Sequence, residues 1–577
     1  MKLPLSWLRQ YVEFDLTLDE LVDVMSGHGL EVEEVTYPGA GTAGVRTARV
    51  LHHEPHPNAH KLRVVTVTGD AGDGEIQVVC GASNFDTGDV VAHAAPGASI
   101  PGMRLEARDF RGVTSNGMLC SARELDLGDD HSGIIRLPAD TPLGADLADL
   151  LPVGEPVIEI AVQADRGDHL GVVGVARDLA AIIDSSWSLP AVPQPPPAAS
   201  FDVTIATNHC ERFVTWLMRD VTVQPSPWWM RQRLAQSGIR SIDVAVDVTN
   251  YVMLELGQPL HAFDADAIRG ERLNVRTATA GEVLVTLDDV ERTLESGDVV
   301  IEDAERIASL AGVMGGRDTE VAPSTTNVLL EAAVWNPSMI RATSRRLGLV
   351  SEASTRFERR VDPEGANIAA ARAAGLLIEL AGANADGYSD VRGGAPPWAQ
   401  RSKVTVDPVR LGQLLGIDDL GADRQTALLR RSGCDVETSG DSLIVTAPSW
   451  RGDLARPADL AEEVARIHGY DSIPAVLPHV RVRGGLSASQ HAERQIRRIA
   501  LGHGFHEAIV RPFVGADALV GAVASTGRVD LANPLAKDAA AMRPSLVEGL
   551  IAAVRRNVGQ GRQGVALAEV GRVFRPA

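Results

Sequence analysis

Aromatic residues are scarce in this 577-residue chain, only 4% of the total. Its cores must therefore rest on Ala, Val, Leu and Ile rather than on rings. Cysteine is scarcer still: Cys80, Cys120, Cys210 and Cys434 stand far apart, with no CxxC pair. That spacing argues against a disulfide framework and against a cysteine zinc site. No stretch reaches membrane-spanning length. In MKLPLSWLRQYVEFDL, Arg9 and Glu13 interrupt the opening before a signal-length apolar run can form. Positive charge is in deficit too, with Lys plus Arg at 55 against 76 for Asp plus Glu, a net −21. A uniformly basic nucleic-acid coat is excluded; a local basic groove is not, because phosphate binding follows the local field. The expectation is a reduced, soluble, cytoplasmic protein.

What is present points to ordered cores. Apolar residues make up 45% and charged residues 23%, which is globular rather than disordered composition. The length implies several domains. Thr17 precedes LDELVDVMSG, whose Leu18, Leu21, Val22 and Met25 form a helical stripe that Gly27 and Gly29 end. Then LRVVTVTG, DAGDG and EIQVVCGA read as strand, turn, strand, and DVVAHAAPG and RDFRGVTSNGMLC continue in that style. Short strands with glycine turns fit a small β-barrel. VGVARDLAAIID reads as a helix, and the proline-dense residues 189–199 read as a stiff linker. Residues 200–395 are mixed α/β, with a helix start at Asp362-Pro363-Glu364. A smaller α/β unit spans 400–475, and a last segment opens near 485 with ERQIRRIALGHGF and closes with strand-like VALAEVGRVF.

Several motifs admit two readings. GAGTAG (39–44) matches GxGxxG, but no buried strand precedes it and no helix opens after it, so a connector is favoured. His52, His53, His56 and His60 invite a zinc reading. Pro55 and Pro57 prevent the helical spacing such ligands need, so a polar loop between barrel strands is favoured. Loops of that kind bind oligonucleotides in five-stranded barrels. Lys61, Arg63, Arg104, Arg108, Arg111 and Arg123 would supply local positive charge, or else form a scattered solvated surface. Glu331 interrupts the apolar run LLEAAVW, either as a buried acceptor or as an edge-strand glutamate facing water. Asp459, Glu462 and Glu463 fall on one helical face, with Asp453 just upstream. They suit a hard cation such as Mg²⁺, or equally a capping box running from Asp459 to Glu462.

Longer stretches carry a resemblance. HPNAHKLRVV, VCGASNF, APGASIPG and RGVTSNGMLCSARELDLGDDHSGI resemble the tRNA-binding barrel of the bacterial phenylalanyl-tRNA synthetase beta-subunit family. SPWWMRQRLAQSGIRSIDVAVDVTNYVMLELGQPLHAFDAD, LAGVMGG, NVLLEAAVWNP, SEASTRFERRVDP and PSWRGDLARPADLAEEVARIHGYDSIP follow that family in order, as does ANPLAKDAAAMRPSL with EVGRVF. The match covers nearly the whole chain. It implies a multidomain α/β (α+β) architecture. An N-terminal α/β segment (1–39, completed by 150–190) would precede an OB-type β-barrel at 40–149. A central α/β editing domain (200–395), a small α/β domain with the acidic helix (400–475) and an incomplete class II synthetase catalytic-like domain (485–577) would follow.

The resemblance also implies function. The complex would attach phenylalanine to tRNA(Phe) with ATP and Mg²⁺, as two alpha and two beta subunits, the aminoacylation site lying on alpha. No membrane or DNA partner is implied. The middle domain would hydrolyse tyrosine misattached to that tRNA. A hydrophobic pocket rejects an added hydroxyl only weakly, so a second site is needed. His261, Glu331, Ser351 and Ala353 occupy the editing positions, with Glu331 as an ionised acceptor for the phenol and His261 beside the ester. Gly315 and Gly316 would allow the backbone to approach a ligand closely. Asp453, Asp459, Glu462 and Glu463 stand at the Mg²⁺ positions, and Lys61, Arg63, Asn84, Arg111 and Arg123 at tRNA-contacting ones. The sequence departs from the family pattern at His60, where Asp is usual, and at Arg360, where the RFERGVDP motif has Gly. Two alternatives follow from such changes: a diverged, non-catalytic paralogue that binds tRNA or protein, or a freestanding deacylase.

Overall fold

Thr17 caps the helix Leu18–Gly27 through a reciprocal box with Glu20, which satisfies two backbone donors at its start. The helix stands beside a three-stranded antiparallel sheet in which Lys2–Pro4 and Val32–Thr36 flank Val157–Ile160. The computed structural model describes residues 1–69, 74–128, 130–131, 133–394, 401–417, 420–477, 484–515 and 528–576. The expected DAGDG turn and the expected boundary at 395 therefore fall at least partly outside the described residues. Two compact units divide the chain, Met1–Pro474 and Ala475–Ala577.

Between the paired strands of the first sheet the chain makes a second, antiparallel sheet. Its path runs Met118–Leu119, Val90–Ile100, Ala43–Pro55, Arg63–Thr68 and Ile76–Cys80. Alternation places Val65, Val67 and Val78 in one buried cluster, which Phe85 joins from the loop after Ile76–Cys80. The helix Val172–Ile183 follows where its sequence predicts it, ending on Asp184 in the left-handed region. The proline-dense 189–199 does not swing free: Tyr388 N donates to the Ala198 carbonyl. A Cβ on Gly387 would sit 2.7 Å from the Ala199 oxygen, so glycine is what lets the two chains lie together.

The central region has two sheets. One orders Leu260–Asp264, Val328–Trp335, Cys210–Arg219 and Asn384–Arg392, all antiparallel. Val328–Trp335 is buried along its whole length, because it is an inner strand covered by the Ala-rich helix Gly365–Ala381. That helix begins two residues later than Pro363 suggests, since Asp362 Oδ1 accepts from Glu364 N and closes a turn first. The other sheet has five strands, from Asp202–Ile205 to Met314–Gly315. Residues Lys403–Val406, Asp435–Ser439 and Ser442–Thr446 form a three-stranded sheet packed with the helix Pro457–His468.

In the second unit, Ala488–Gly502 is helical as its sequence predicts and carries no buried residue. Of VALAEVGRVF only Leu567–Ala568 is strand, paired in parallel with His506–Glu507. Arg543 and Glu569 form a buried pair at 2.7 Å inside this unit.

Candidate functional site

Antiparallel register sets the central site. Glu331 on Val328–Trp335 lies directly opposite His261 on one side and Thr215 on the other, and Thr215 lies opposite Ser389. Residues opposed in this way project from the same face. A row of polar side chains, His261–Glu331–Thr215–Ser389, thus crosses an otherwise apolar sheet. At its far end Ser200 Oγ bonds both Thr215 and Ser389. The hydroxyl end of the row is satisfied internally. The acid–imidazole end is not.

Glu331 is 6% exposed and accepts no hydrogen bond among the described residues. Burial with no compensating donor pushes its carboxyl up to about 8. His261 Nε2 is buried with no partner, and burial holds its imidazole down at about 4. Burial thus favours the neutral form of both groups near pH 7, in contrast to the expected ionised acceptor. The edge-strand alternative is also gone, because the strand is internal. Phe263 sets its ring edge-on to the imidazole at 4.4 Å. A Cβ on Gly315 would stand 2.5 Å from His261 Cε1, and one on Gly316 would stand 2.5 Å from the Ala308 oxygen. The two glycines make room for the imidazole and a neighbouring strand.

The other two expected pocket residues are placed differently. Ser351 caps the helix Glu352–Glu358, its hydroxyl accepting from Ser354 N at 3.1 Å. Ala353 is half-buried on that helix. No hydrogen bond among the described residues joins either to the His261–Glu331 pair. The sequence reasoning missed Thr215, Ser200 and Ser389. Their only signal is strand register, which a single sequence does not display.

The second sheet carries an open groove of about 1160 Å³, lined by Arg104, Arg108, Arg123, Phe110 and Met103 among others. The expected nucleic-acid residues divide. Lys61, Arg111 and Arg123 are exposed, and Arg123 lines the groove. Arg111 also clamps a loop: its Nη1 donates to the Asn58 carbonyl, and Asn58 Nδ2 donates back to the Arg111 carbonyl. Arg63 is half-buried beside His53 and Phe85. Asn84 uses both amide atoms on Ile134, so it shapes the groove rather than presenting a free amide. His56 is 4% exposed, donates from Nε2 to the Phe110 carbonyl and accepts from Asn58 N at Nδ1. It is a satisfied structural imidazole.

The acidic helix starts at Pro457, so Asp459 is its third residue and reaches back to cap Arg456 N and Ala455 N. Asp459 is thus not the cap that the Asp459–Glu462 spacing suggests. Asp453, Asp459, Glu462 and Glu463 do line one small cavity, of about 50 Å³. Arginines occupy most of them. Arg451 grips Asp453 and Glu463, Arg466 grips Glu463 and Asp178, and Arg456 grips Asp459. Burial raises the Glu463 carboxyl, but Arg466 and Arg451 outweigh it and hold it at about 2. Among the described residues no three His, Cys, Asp or Glu side chains are placed to hold a metal ion. The donors do not fit Mg²⁺ in this arrangement.

The basic groove falls within a match to the putative tRNA binding domain family at residues 45–146. His261, Glu331 and Thr215 of the polar row fall within the B3/4 domain family at 209–382, and the arginine-clamped helix within the tRNA synthetase B5 domain family at 404–470. The second unit matches the phenylalanyl tRNA synthetase beta chain CLM domain at 473–577. The phenylalanine–tRNA ligase beta subunit of Thermobifida fusca is 44% identical over all of this chain and 71% of its own length. Those of Moorella thermoacetica and Anaeromyxobacter dehalogenans are each 42% identical over all of this chain and 73% of their own lengths. No described helix is long and apolar enough to cross a membrane. With four family matches in sequence and the whole of this chain aligned to those relatives, the chain belongs to the phenylalanine–tRNA ligase beta subunit family.

Proposed function

We propose that this chain is the tRNA-binding and proofreading partner in an ATP- and Mg²⁺-dependent phenylalanine–tRNA ligase of two alpha and two beta subunits. Aminoacylation would lie on alpha, and the second unit would be a catalytic-like scaffold. The groove sheet is read as an OB-type barrel over 40–149. Supporting that, Asn116 N donates to Gln77 on the last strand while Cys120 N donates to Ala92 near the start of the path, so the sheet curls toward closure. The remaining domain limits, 1–39 with 150–190, 200–395, 400–475 and 485–577, are proposed with it.

One observation carries the proofreading reading: an unpartnered acid and an unpartnered imidazole, opposed in register inside an apolar sheet. A misattached tyrosine differs from phenylalanine by one hydroxyl. The carbonyl oxygen of a neutral Glu331 accepts the phenol proton, and phenylalanine leaves that oxygen unsatisfied. His261, neutral at Nε2, orients a water toward the ester carbon. That water adds to the carbon, the ribose oxygen leaves with a proton, and free tyrosine and intact tRNA result. Ser351 and Ala353 are proposed to border the bound terminal ribose.

The test uses the chain co-expressed with its alpha partner and preformed Tyr-tRNA(Phe). Glu331→Ala and His261→Ala should each slow deacylation by about 10²-fold or more while phenylalanine charging persists. Hydrolysis at the unaltered rate in the double variant would refute this assignment.

A further inference from the structure

Where the helix Val172–Ile183, the start of Gly365–Ala381 and the loop after Ser442–Thr446 meet, they enclose a cavity of about 160 Å³. On the same measure that is roughly ten times what one water needs. Two guanidinium groups line it. Arg177 lies between two indoles, 3.8 Å from the Trp450 ring centroid and 4.9 Å from that of Trp187. Its Nε and Nη1 are buried with no hydrogen-bond partner. Arg360 lies over Gly452, with a single long contact of 3.5 Å to that carbonyl, and its Nε is also buried and unpartnered. Neither arginine makes an ion pair among the described residues.

The acids at the rim do not neutralise them. Asp168 is held bidentately by Arg166, and Glu364 is held by Arg392 and Arg212. Asp362 remains, turned to the backbone N–H of Glu364. Glu211 feels the Arg360 charge but makes no ion pair with it. The cavity also touches the N-terminal end of a 17-residue helix at Gly365, where the dipole favours negative charge. Buried N–H groups without partners are rare enough to need an explanation. Such donors, two on Arg177 and one on Arg360 around one cavity, suit the oxygens of a tetrahedral anion.

We infer that this junction of the N-terminal, central and small α/β regions is a binding site for a phosphate oxyanion, held by Arg177 and Arg360. The site is independent of the His261–Glu331 row. Trp187 and Trp450, stacked on Arg177, would report its occupation. Free phosphate and a tRNA phosphate share the required chemistry.

Inorganic phosphate is titrated into the full chain at constant ionic strength, with chloride as the control. Heat and tryptophan fluorescence should both show saturable binding. Arg360→Gly should weaken it at least about tenfold, as should Arg177→Gln. Arg360 has φ +69°, a region glycine enters freely, so the first variant keeps the fold; its melting temperature verifies this. With tRNA added, displacement of phosphate identifies a tRNA phosphate as the occupant, and simultaneous binding identifies free phosphate. No saturable binding above chloride, or equal affinity in a folded Arg360→Gly variant, leaves only a water-filled cavity and overturns the site.

Discussion

Glu331 shows how one side chain can be tuned by what surrounds it. Among the described residues no cation pairs with it and no donor bonds to it, so burial decides its protonation. In the unfolded chain an ordinary glutamate ionises near 4.5. Between that pH and about 8 the folded form therefore holds a proton that the unfolded form has released. Stability must fall as pH rises through this window, and level off above it. The total is as much as about 5 kcal/mol at 1.4 kcal/mol per pH unit. Glu331→Gln, neutral throughout, should flatten that slope in urea unfolding between pH 5 and 8.5. A slope equal to that of the parent would mean the acid ionises normally. His261 works in the other direction. Its depressed value means the unfolded state gains a proton first on acidification, so stability falls from about pH 6.5 toward about 4. Arg360 adds a cost of its own, since a non-glycine residue in left-handed backbone is strained.

At the scale of elements, the short strand Met314–Gly315 determines whether the imidazole can sit where it does. Gly315→Ala places a methyl within 2.5 Å of His261 Cε1. We expect the ring to be displaced, with about 1–3 kcal/mol of destabilisation and loss of Tyr-tRNA hydrolysis while tRNA binding stays unchanged. Retained hydrolysis would show that ring position does not matter. Elements with local signals were legible in the sequence. Thr17 and Glu20 announce the helix Leu18–Gly27, and alternation announces the strands that bury Val65 and Val78. What was not legible depends on partners distant in sequence. Whether Glu331 is internal or at an edge depends on which strands flank it. Whether Asp453 and Glu463 can take a cation depends on Arg451 and Arg466, whose reach only the fold reveals. The Asp459 misreading has a local cause: Pro457 fits the first turn, so the helix starts before the acid.

Across the first unit, buried charge links regions far apart in sequence. Asp178 of the N-terminal region receives both Arg466 and Arg166, and Arg466 passes on to Glu463 and thence to Arg451. The groups are nearly solvent-free, so removing one leaves its partners charged and unpaired. Arg466→Met should cost about 3–5 kcal/mol in chemical unfolding. The exposed pair Arg219–Asp386 serves as the control, and Arg219→Met should cost less than about 1 kcal/mol. Similar losses for both would show the network to be incidental. Its conformational role follows from the same geometry: the helix Pro457–His468 is fixed to the N-terminal region by charge as well as by apolar packing.

The first sheet has a further consequence. Thr36 and Val157 face each other across its ladder, about 5 Å apart as neighbouring strands are. Everything between them, the basic groove included, leaves and re-enters at one doorway. Topologically that module is a parenthesis. It can lengthen, shrink or be exchanged for another fold over generations without rerouting the rest of the chain, because the entropy of closing so long a loop barely changes with its length.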